Sequence, residues 1–319
     1  MMQKNALIYV AGHAGLIGSA VVRRLEREGY QAPIIRSRNQ LDLKDAGSVD
    51  AFFEDIRPEF VILAAGRVGG IIENQRFPAD LMDENITVQF NVLRAARKTG
   101  VRKLIFFGSS CMYPRECLQP MAEDALLSGR LEPTSLPYAI SKLSGTYMCL
   151  AYNKQDCASR FIPVIPNSAY GPNDNFDPKS GHVLSSLLAR FHRAKAVGAE
   201  SVMLWGSGSP RREFIHADDI ADACLHLLTQ DDITVESPIN IGIGVDVSIK
   251  ELAVLIAGVV GYEGRLEWDE TKPDGAPRKL LDSALIQSMG WKPKIGLREG
   301  VVDTYRWFVE HTKNNTAAG

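Results

Sequence analysis

At 319 residues, with 36 basic and 38 acidic side chains and a net charge of -2, the chain is long enough for a full-sized core in one large domain or two smaller ones. It lacks the overall charge that would draw it to nucleic acid or an anionic membrane. Its five cysteines, Cys111, Cys117, Cys149, Cys157 and Cys224, have neither metal-ligand clustering nor the even count of a disulfide framework, so reduced thiols in a cytoplasmic setting are expected and a metal site is not.

The opening Met-Met-Gln-Lys-Asn runs directly into Ala6 to Ala11, a short apolar strand that reads as neither signal peptide nor membrane span. Gly12-His13-Ala14-Gly15-Leu16-Ile17-Gly18 follows, and then a helical pattern through Leu25 to Glu28. Strand, glycine turn and helix make a dinucleotide-binding opening. The glycines let the backbone approach a pyrophosphate, and the helix start at Leu16 and Ile17 offers free N–H groups. A second strand over 32–35 ends in Arg36-Ser37-Arg38, about twenty residues beyond Gly18, where an NAD site would carry an acid for the ribose hydroxyls. Two guanidinium groups suit a 2′-phosphate instead, so NADP(H) is expected. The plainer alternative is two solvated surface arginines. Asp42 and Leu43, just beyond, are placed to meet the adenine.

The next strand, Phe60 to Ala65, brings Ala64 and Ala65 to the cofactor side, ahead of a loop Arg67-Val68-Gly69-Gly70. Apolar residues at helical spacing predict a helix over 79–98, stopped by Gly100. Lys103 to Phe107 is the fourth strand, and its end presents Gly108-Ser109-Ser110-Cys111. In an open parallel sheet that is the end at which ligands bind. The stretch 114–137 reads as a loop with one short helix. Tyr138 begins a helix to about Lys154, with Lys142 one turn along on the same face.

Beyond the strand Arg160 to Ile165 the strand and helix alternation loosens. A helix over 182–194, a strand over 202–205, a basic loop over 206–212 and a helix over 216–228 are expected, with Asp218 and Asp219 in the last helix's first turn. A strand over 238–241, a helix capped by Ser248, a strand over 265–268 and a proline-marked loop over 272–279 follow. Helical patterns at 286–291 and 298–311 close the fold. The expectation is an α/β fold. Residues 1–170 form mainly a Rossmann-type doubly wound parallel sheet that binds the dinucleotide. Residues 171–311 form mainly a smaller mixed α/β substrate lobe, with segments returning to the sheet, and 312–319 are a disordered tail.

The glycine turn, Ser109 and Tyr138-x-x-x-Lys142 together resemble the extended short-chain dehydrogenase/reductases. Gly108-Ser-Ser-Cys-Met-Tyr-Pro114, Pro137-Tyr-Ala-Ile-Ser-Lys142, Tyr170-Gly-Pro-Asn-Asp-Asn-Phe176, Trp205-Gly-Ser-Gly208, Arg212-Glu-Phe-Ile-His216 and Lys272-Pro-Asp-Gly-Ala-Pro-Arg-Lys279 extend the similarity, over all but the tail, to the GDP-L-fucose synthase family. That resemblance implies a homodimeric enzyme that takes a GDP-sugar, epimerises C3 and C5 and reduces the C4 ketone with NADPH. It implies Tyr138 as proton donor to the C4 oxygen, Ser109 bonding the same oxygen, and Lys142 holding the nicotinamide ribose and lowering the phenol's pKa. Cys111 and His182 would be the acid and base of epimerisation. Ser110, Arg190, Trp205, Arg212 and Asp274 fall where the sugar nucleotide is held, and Gly108, Pro166, Ser168, Ala169 and His182 where the cofactor lies.

Two positions depart from the family pattern. Ala14 replaces an arginine frequent in bacterial members, which leaves NADP preference to Arg36 and Arg38. Asn167-Ser168 stands where the family has Thr-Asn after the proline, so the hydrogen bonds of that loop do not carry over. The competing readings are a nucleotide-sugar 4-epimerase or 4,6-dehydratase with permanently bound NAD, and a dinucleotide sensor without catalysis. The basic Arg36 and Arg38 and the Cys111–His182 pair argue against the first. The intact set of catalytic residue types argues against the second.

Overall fold

The computed structural model describes residues 2–178, 180–272 and 274–316. β1 (Ile8–Ala11) is buried along its whole length and leads through the glycine turn into α1 (Leu16–Arg27). The strand expected over 32–35 contracts to one residue. Ile34 alone bridges Tyr9 in parallel, donating to the Ile8 carbonyl at 2.8 Å and accepting from Val10 N–H at 3.0 Å. With Pro33 beside it this is a short edge, and proline there prevents a longer ladder. α2 (Ala46–Ile56) is capped by the Asp45 carboxylate, which accepts from Gly47 N–H. β2 (Phe60–Leu63), α3 (Ile71–Arg76) and α4 (Pro78–Thr99) follow, α4 starting on a proline and ending at Gly100 with φ 75°.

β3 (Lys103–Phe107) enters the turn of interest. The loop over 114–137 holds two short 3₁₀ turns, Glu123–Ala125 and Pro133–Ser135, where one short helix was expected. α5 (Leu136–Asp156) begins ahead of Tyr138, with Pro137 in its first turn. Then come β4 (Phe161–Pro166), β5 (Ser168–Tyr170), α6 (Val183–Ala196), β6 (Ser201–Trp205), β7 (Arg211–Arg212), β8 (Phe214–His216), α7 (Ala217–Thr229) and β9 (Ile239–Ile241). β10 (Val247–Ser248) leads into α8 (Ile249–Val260), whose Ser248 and Glu251 form a full capping box. β11 (Arg265–Asp269), β12 (Arg278–Lys279), α9 (Ala284–Ser288) and α10 (Leu297–Thr316) complete the order. α10 thus continues through 312–316, where a disordered tail was expected; 317–319 lie outside the described residues.

β1, β2, β3, β4 and β9 form one parallel sheet in the order β1-β2-β3-β4-β9. The chain leaves β1 toward Ile34 on one side and returns at β2 on the other. That reversal makes a crevice at the strands' carboxyl ends. Strand alternation divides the core between the two faces. Val10, Ile62 and Ile105 pack with α1 and α7, while Tyr9, Leu63 and Phe106 pack with α2, α4 and α5. Each such fully buried apolar side chain contributes about 1.5–3 kcal/mol. A third cluster, including Leu188, Leu204, Leu252, Ile256 and Val301, joins α6, α8, β6 and α10 beside the sheet. No helix among the described residues is long and apolar enough to cross a membrane.

Two buried polar residues tie loops to the carboxyl end of the sheet. The Glu213 carboxylate, fully buried, accepts from the Asn167 amide at 2.6 Å and from the N–H groups of Ile243, Gly244 and Leu281. Asn240, also fully buried, accepts from Tyr113 Oη at 2.7 Å and donates to the carbonyls of Met121 and Asp282. A buried polar group without partners costs about 1–3 kcal/mol. These saturated knots therefore fix the loops they join.

Candidate active site

Gly12 has φ 82°, and a Cβ there would lie 2.6 Å from Ala65 N. A Cβ on Gly18 would lie 2.1 Å from the Gly12 carbonyl oxygen. Only glycine lets β1, the turn, α1 and the Ala64–Ala65 backbone come this close. Gly15 caps α1 without a side-chain bond, and no acid occupies the helix's first turn. His13 Nδ1 is buried there without a hydrogen-bond partner. Unsatisfied donors, the positive helix end and a glycine-lined approach fit a dinucleotide pyrophosphate. Arg36 and Arg38 stand at the end of the Ile34 edge, and neither pairs with a carboxylate among the described residues. Arg36 donates to the Ile35 carbonyl and lies over Phe52 at 5.6 Å. The Asn91 amide, buried in α4, holds the carbonyls of Leu43 and Lys44 at 3.0 Å and so fixes the segment containing Asp42 and Leu43.

At the end of β3 a Cβ on Gly108 would meet Met112 Cε at 2.7 Å, and one on Gly145 would meet Phe106 Cζ at 2.4 Å. The two glycines let the turn and α5 close on the strand end. Ser109 Oγ accepts from Cys111 N–H at 3.2 Å, capping a short 3₁₀ turn in which Ser110 is buried. The Ser109 hydroxyl also bonds Tyr138. Tyr138 and Lys142 are 8% and 6% exposed. Lys142 Nζ stands over the rings of Phe106 and Tyr138, at 5.3 and 5.9 Å from their centroids, and beside Gly66.

The phenol departs from the expected electrostatics. Burial first, and the neighbouring Cys111 second, push the Tyr138 pKa up, and only the Ser109 bond lowers it. Burial likewise pushes Lys142 down to about 8. Lys142 is not among the groups that lower the phenol; burial dominates at both.

Cys111 is moved the other way. Burial alone would raise it, but the Lys279 ammonium, with hydrogen bonds from Ser109, Ser135 and Lys279, holds it below the ordinary thiol value. Lys279 Nζ lies 3.8 Å from Cys111 Sγ. Sequence reading missed Lys279 as a member of this group, although it ends the 272–279 segment. His182 is the residue before α6, half exposed, with Nδ1 3.8 Å from Asp174 Oδ1. Asp174 raises its pKa, against burial, and Cys111 adds to the rise. Asp174 too was missed, within the 170–176 motif.

The other expected ligands stand around this centre. Pro166 ends β4; Ser168 and Ala169, half-buried in β5, pair with Phe214 and Ile215. Asn167 is turned inward to Glu213 and its Oδ1 accepts from Ser168 N–H. Arg190 donates to the Met203 carbonyl from α6. Trp205, at the end of β6, is 63% exposed, with Lys272 Nζ 5.9 Å from its ring. The charges of Arg212 and Asp274 interact with each other, and that of Arg212 with Cys111. Asp274 accepts from Ser207 N–H at 3.0 Å and Oγ at 2.7 Å. Ser109, Cys111, Tyr138, Lys279, His182 and Arg212 therefore form one connected group, while Trp205 and Asp274 lie on an exposed rim. No cluster of side chains able to hold a metal ion occurs among the described residues.

Residues 8–242 match the NAD dependent epimerase/dehydratase family. The chain is 49% identical to GDP-L-fucose synthase 1 of Arabidopsis thaliana, over 98% of this chain and 96% of that protein. It is 46% identical to GDP-L-fucose synthase of Escherichia coli K12, over 95% and 97%. Among solved structures, a GDP-mannoheptose C4 reductase from Campylobacter jejuni with NADP bound is 37% identical, superimposes with a TM-score of 0.88, and covers 97% of this chain and all of its own.

Proposed function

The chain belongs to the NAD dependent epimerase/dehydratase family and, within it, to the GDP-L-fucose synthases, and from that premise we propose that it converts GDP-4-keto-6-deoxy-D-mannose to GDP-L-fucose, inverting C3 and C5 and then reducing the C4 ketone with NADPH. The observation that carries this reading is the turn Ser109 to Cys111, which serves two sets of titratable groups at once. Ser109 leads to Tyr138 on α5; Cys111 leads to Lys279 and His182. A 4-epimerase that retains NAD has use for the first set alone.

The C4 ketone acidifies the hydrogens at C3 and C5. Cys111, held toward thiolate by Lys279, takes such a proton; His182, held toward imidazolium by Asp174, returns one from the opposite face. The charge that develops on the C4 oxygen lies with the hydroxyls of Ser109 and Tyr138, which stabilise it. NADPH, when bound, supplies hydride to C4. Tyr138 then gives its proton to the alkoxide, and a phenol raised by burial is reliably protonated for that task. Lys142 holds the nicotinamide ribose, and the turn of Gly12, Gly15 and Gly18 the pyrophosphate. Arg36 and Arg38 take the 2′-phosphate, which makes NADPH the preferred donor. Arg190 and Arg212 meet the charge of the GDP group, and the open face of Trp205 suits a stacked base. The reading includes a homodimer, and the exposed apolar residues Phe90 of α4 and Ile140 and Tyr147 of α5, each 38–45% exposed, support it as places for a second copy to pack. The five free cysteines suit the reducing cytoplasm.

The test is loss of NADPH absorbance on adding GDP-4-keto-6-deoxy-D-mannose, with GDP-L-fucose identified as product and NADH run in parallel. Oxidation of neither cofactor would overturn the reading.

A further inference from the structure

The loop between β5 and α6 is anchored on all sides. Asn173, with φ 66°, donates from its amide to Ser19 Oγ of α1 at 3.0 Å. Phe176 stacks on Trp307 of α10 with centroids 5.9 Å apart, and its ring lies 4.8 Å from that of Phe308. A Cβ on Gly181 would meet the Asn175 carbonyl oxygen at 2.3 Å, so the turn closes tightly on itself before His182.

Inside this frame Asp174 is anomalous. Its side chain is 4% exposed, yet no lysine or arginine among the described residues pairs with it. A buried carboxylate needs hydrogen bonds or a counter-charge. Asp174 Oδ2 accepts from the hydroxyl of Ser185, itself fully buried; Oδ1 accepts from Asn175 N–H at 2.7 Å and faces His182 Nδ1 at 3.8 Å. His182 is thus the ionisable counterpart the carboxylate has among the described residues.

We propose that Asp174 is the positioning residue of His182, holding the Nδ1 proton on the carboxylate side so that Nε2 is the nitrogen that exchanges protons with the sugar, while Ser185 holds the carboxylate in place. The inference deepens the reading of function given above and rests on it for its catalytic consequence. In the step concerned, Cys111 thiolate takes a proton from a ring carbon and becomes a thiol, leaving an enolate. Imidazolium Nε2 then gives its proton to the opposite face of that carbon and becomes neutral. The 3.8 Å separation is an ion-pair distance, and catalytic contacts commonly tighten when substrate binds.

A purely structural account would make Asp174 a stabiliser of the α6 N-terminus. The two accounts part in the ionisation of His182. The groups facing His182 are Asp174 from its own loop and Cys111 from the β3 turn; those facing Cys111 are Lys279 of β12, Arg212 of β7 and Tyr138 of α5. Asp174 raises His182, so removing the anion lowers it.

The experiment is an NMR titration of the His182 ring in the ligand-free full chain, assigned with His182→Gln, in the wild type, Asp174→Asn and Asp174→Glu. The expected result is a midpoint about one pH unit lower in Asp174→Asn and restored in Asp174→Glu. An unmoved midpoint in Asp174→Asn overturns the proposal. This titration needs no substrate, so its failure is distinct from failure of the functional reading. Solvent deuterium wash-in at C3 and C5 gives the catalytic arm. Asp174→Asn should slow it by roughly a hundredfold and move its alkaline limb to lower pH, and Ser185→Ala should do the same to a smaller degree. A slower exchange with an unshifted limb overturns the positioning role and leaves only the structural one.

Discussion

Tyr138 and Lys142 lie one turn apart on one helix, both nearly sealed, and burial pushes each away from its charged form. Cys111 and His182 come from the β3 turn and the start of α6, are more open, and each is pulled toward its charged form by a partner of opposite sign, Lys279 and Asp174. The first pair is set by what surrounds it and the second by what faces it. A pair set by desolvation changes when a ligand brings charge or polarity into its cavity, and a pair set by fixed counter-charges is poised beforehand. Two proton-transfer tasks can then share one bound sugar, because their acid strengths have different causes.

The sharpest way to break this comparison is to remove one member of each pair and read both activities. Tyr138→Phe should cut NADPH oxidation by about a thousandfold while slowing deuterium wash-in at C3 and C5 no more than about tenfold. Cys111→Ser should cut wash-in by a few hundredfold, in round terms, and leave NADPH affinity unchanged, since a serine hydroxyl at neutral pH is a far weaker base than a thiolate. Equal losses of both activities in both variants would mean one undivided centre.

How far the site could be read in advance follows the same division. Tyr138 and Lys142 are legible because helical spacing alone puts them on one face. The glycine turn is legible because Gly12 and Gly18 answer steric demands that no other residue meets. Most long elements fell at their expected places, since α4 carries apolar residues at helical spacing and the main-sheet strands are short apolar runs. The strand over 32–35 did not, because pairing at an edge depends on a neighbour and not on local pattern. Lys279 and Asp174 were hidden for a related reason. Lys279 acquires meaning only from Cys111, far away in the chain, through pairings such as β12 with β7 that are two residues long, and Asp174 only from the irregular turn that folds it back on His182. The opposing pKa shifts of Tyr138 and Lys142 were equally illegible, because burial is a property of the packed core.

Lys279 offers a graded test of the second pair. Lys279→Met keeps the length of the side chain and removes the charge, so the Cys111 thiol, deprived of its main lowering influence, should rise. The fraction present as thiolate at neutral pH falls accordingly. Wash-in at pH 7 should drop by roughly tenfold, and the limb along which it increases with pH should move upward by about one unit. Lys279→Arg should keep most of the limb's position. A thiol whose alkylation rate by iodoacetamide has the same pH midpoint in Lys279→Met and the wild type would show that Lys279 does not set it.

The smallest expected effect lies at the far end of the cofactor site, and there the two arginines are themselves unequal. Arg36 already spends one guanidinium nitrogen on the Ile35 carbonyl and rests on Phe52, whereas Arg38 is exposed and has no such commitments among the described residues. A hydrogen bond between charged groups contributes about 1.5–3 kcal/mol, so Arg38→Ala should raise the KM for NADPH about tenfold or somewhat more. The KM for NADH, which has no 2′-phosphate, should stay within about twofold. Arg36→Ala should affect NADPH less, because its stacking and backbone bond already hold part of its hydrogen-bonding capacity. Ala14 brings no cation to the glycine turn, so an equal effect of Arg38→Ala on both cofactors would remove the ground for preferring NADPH at this site.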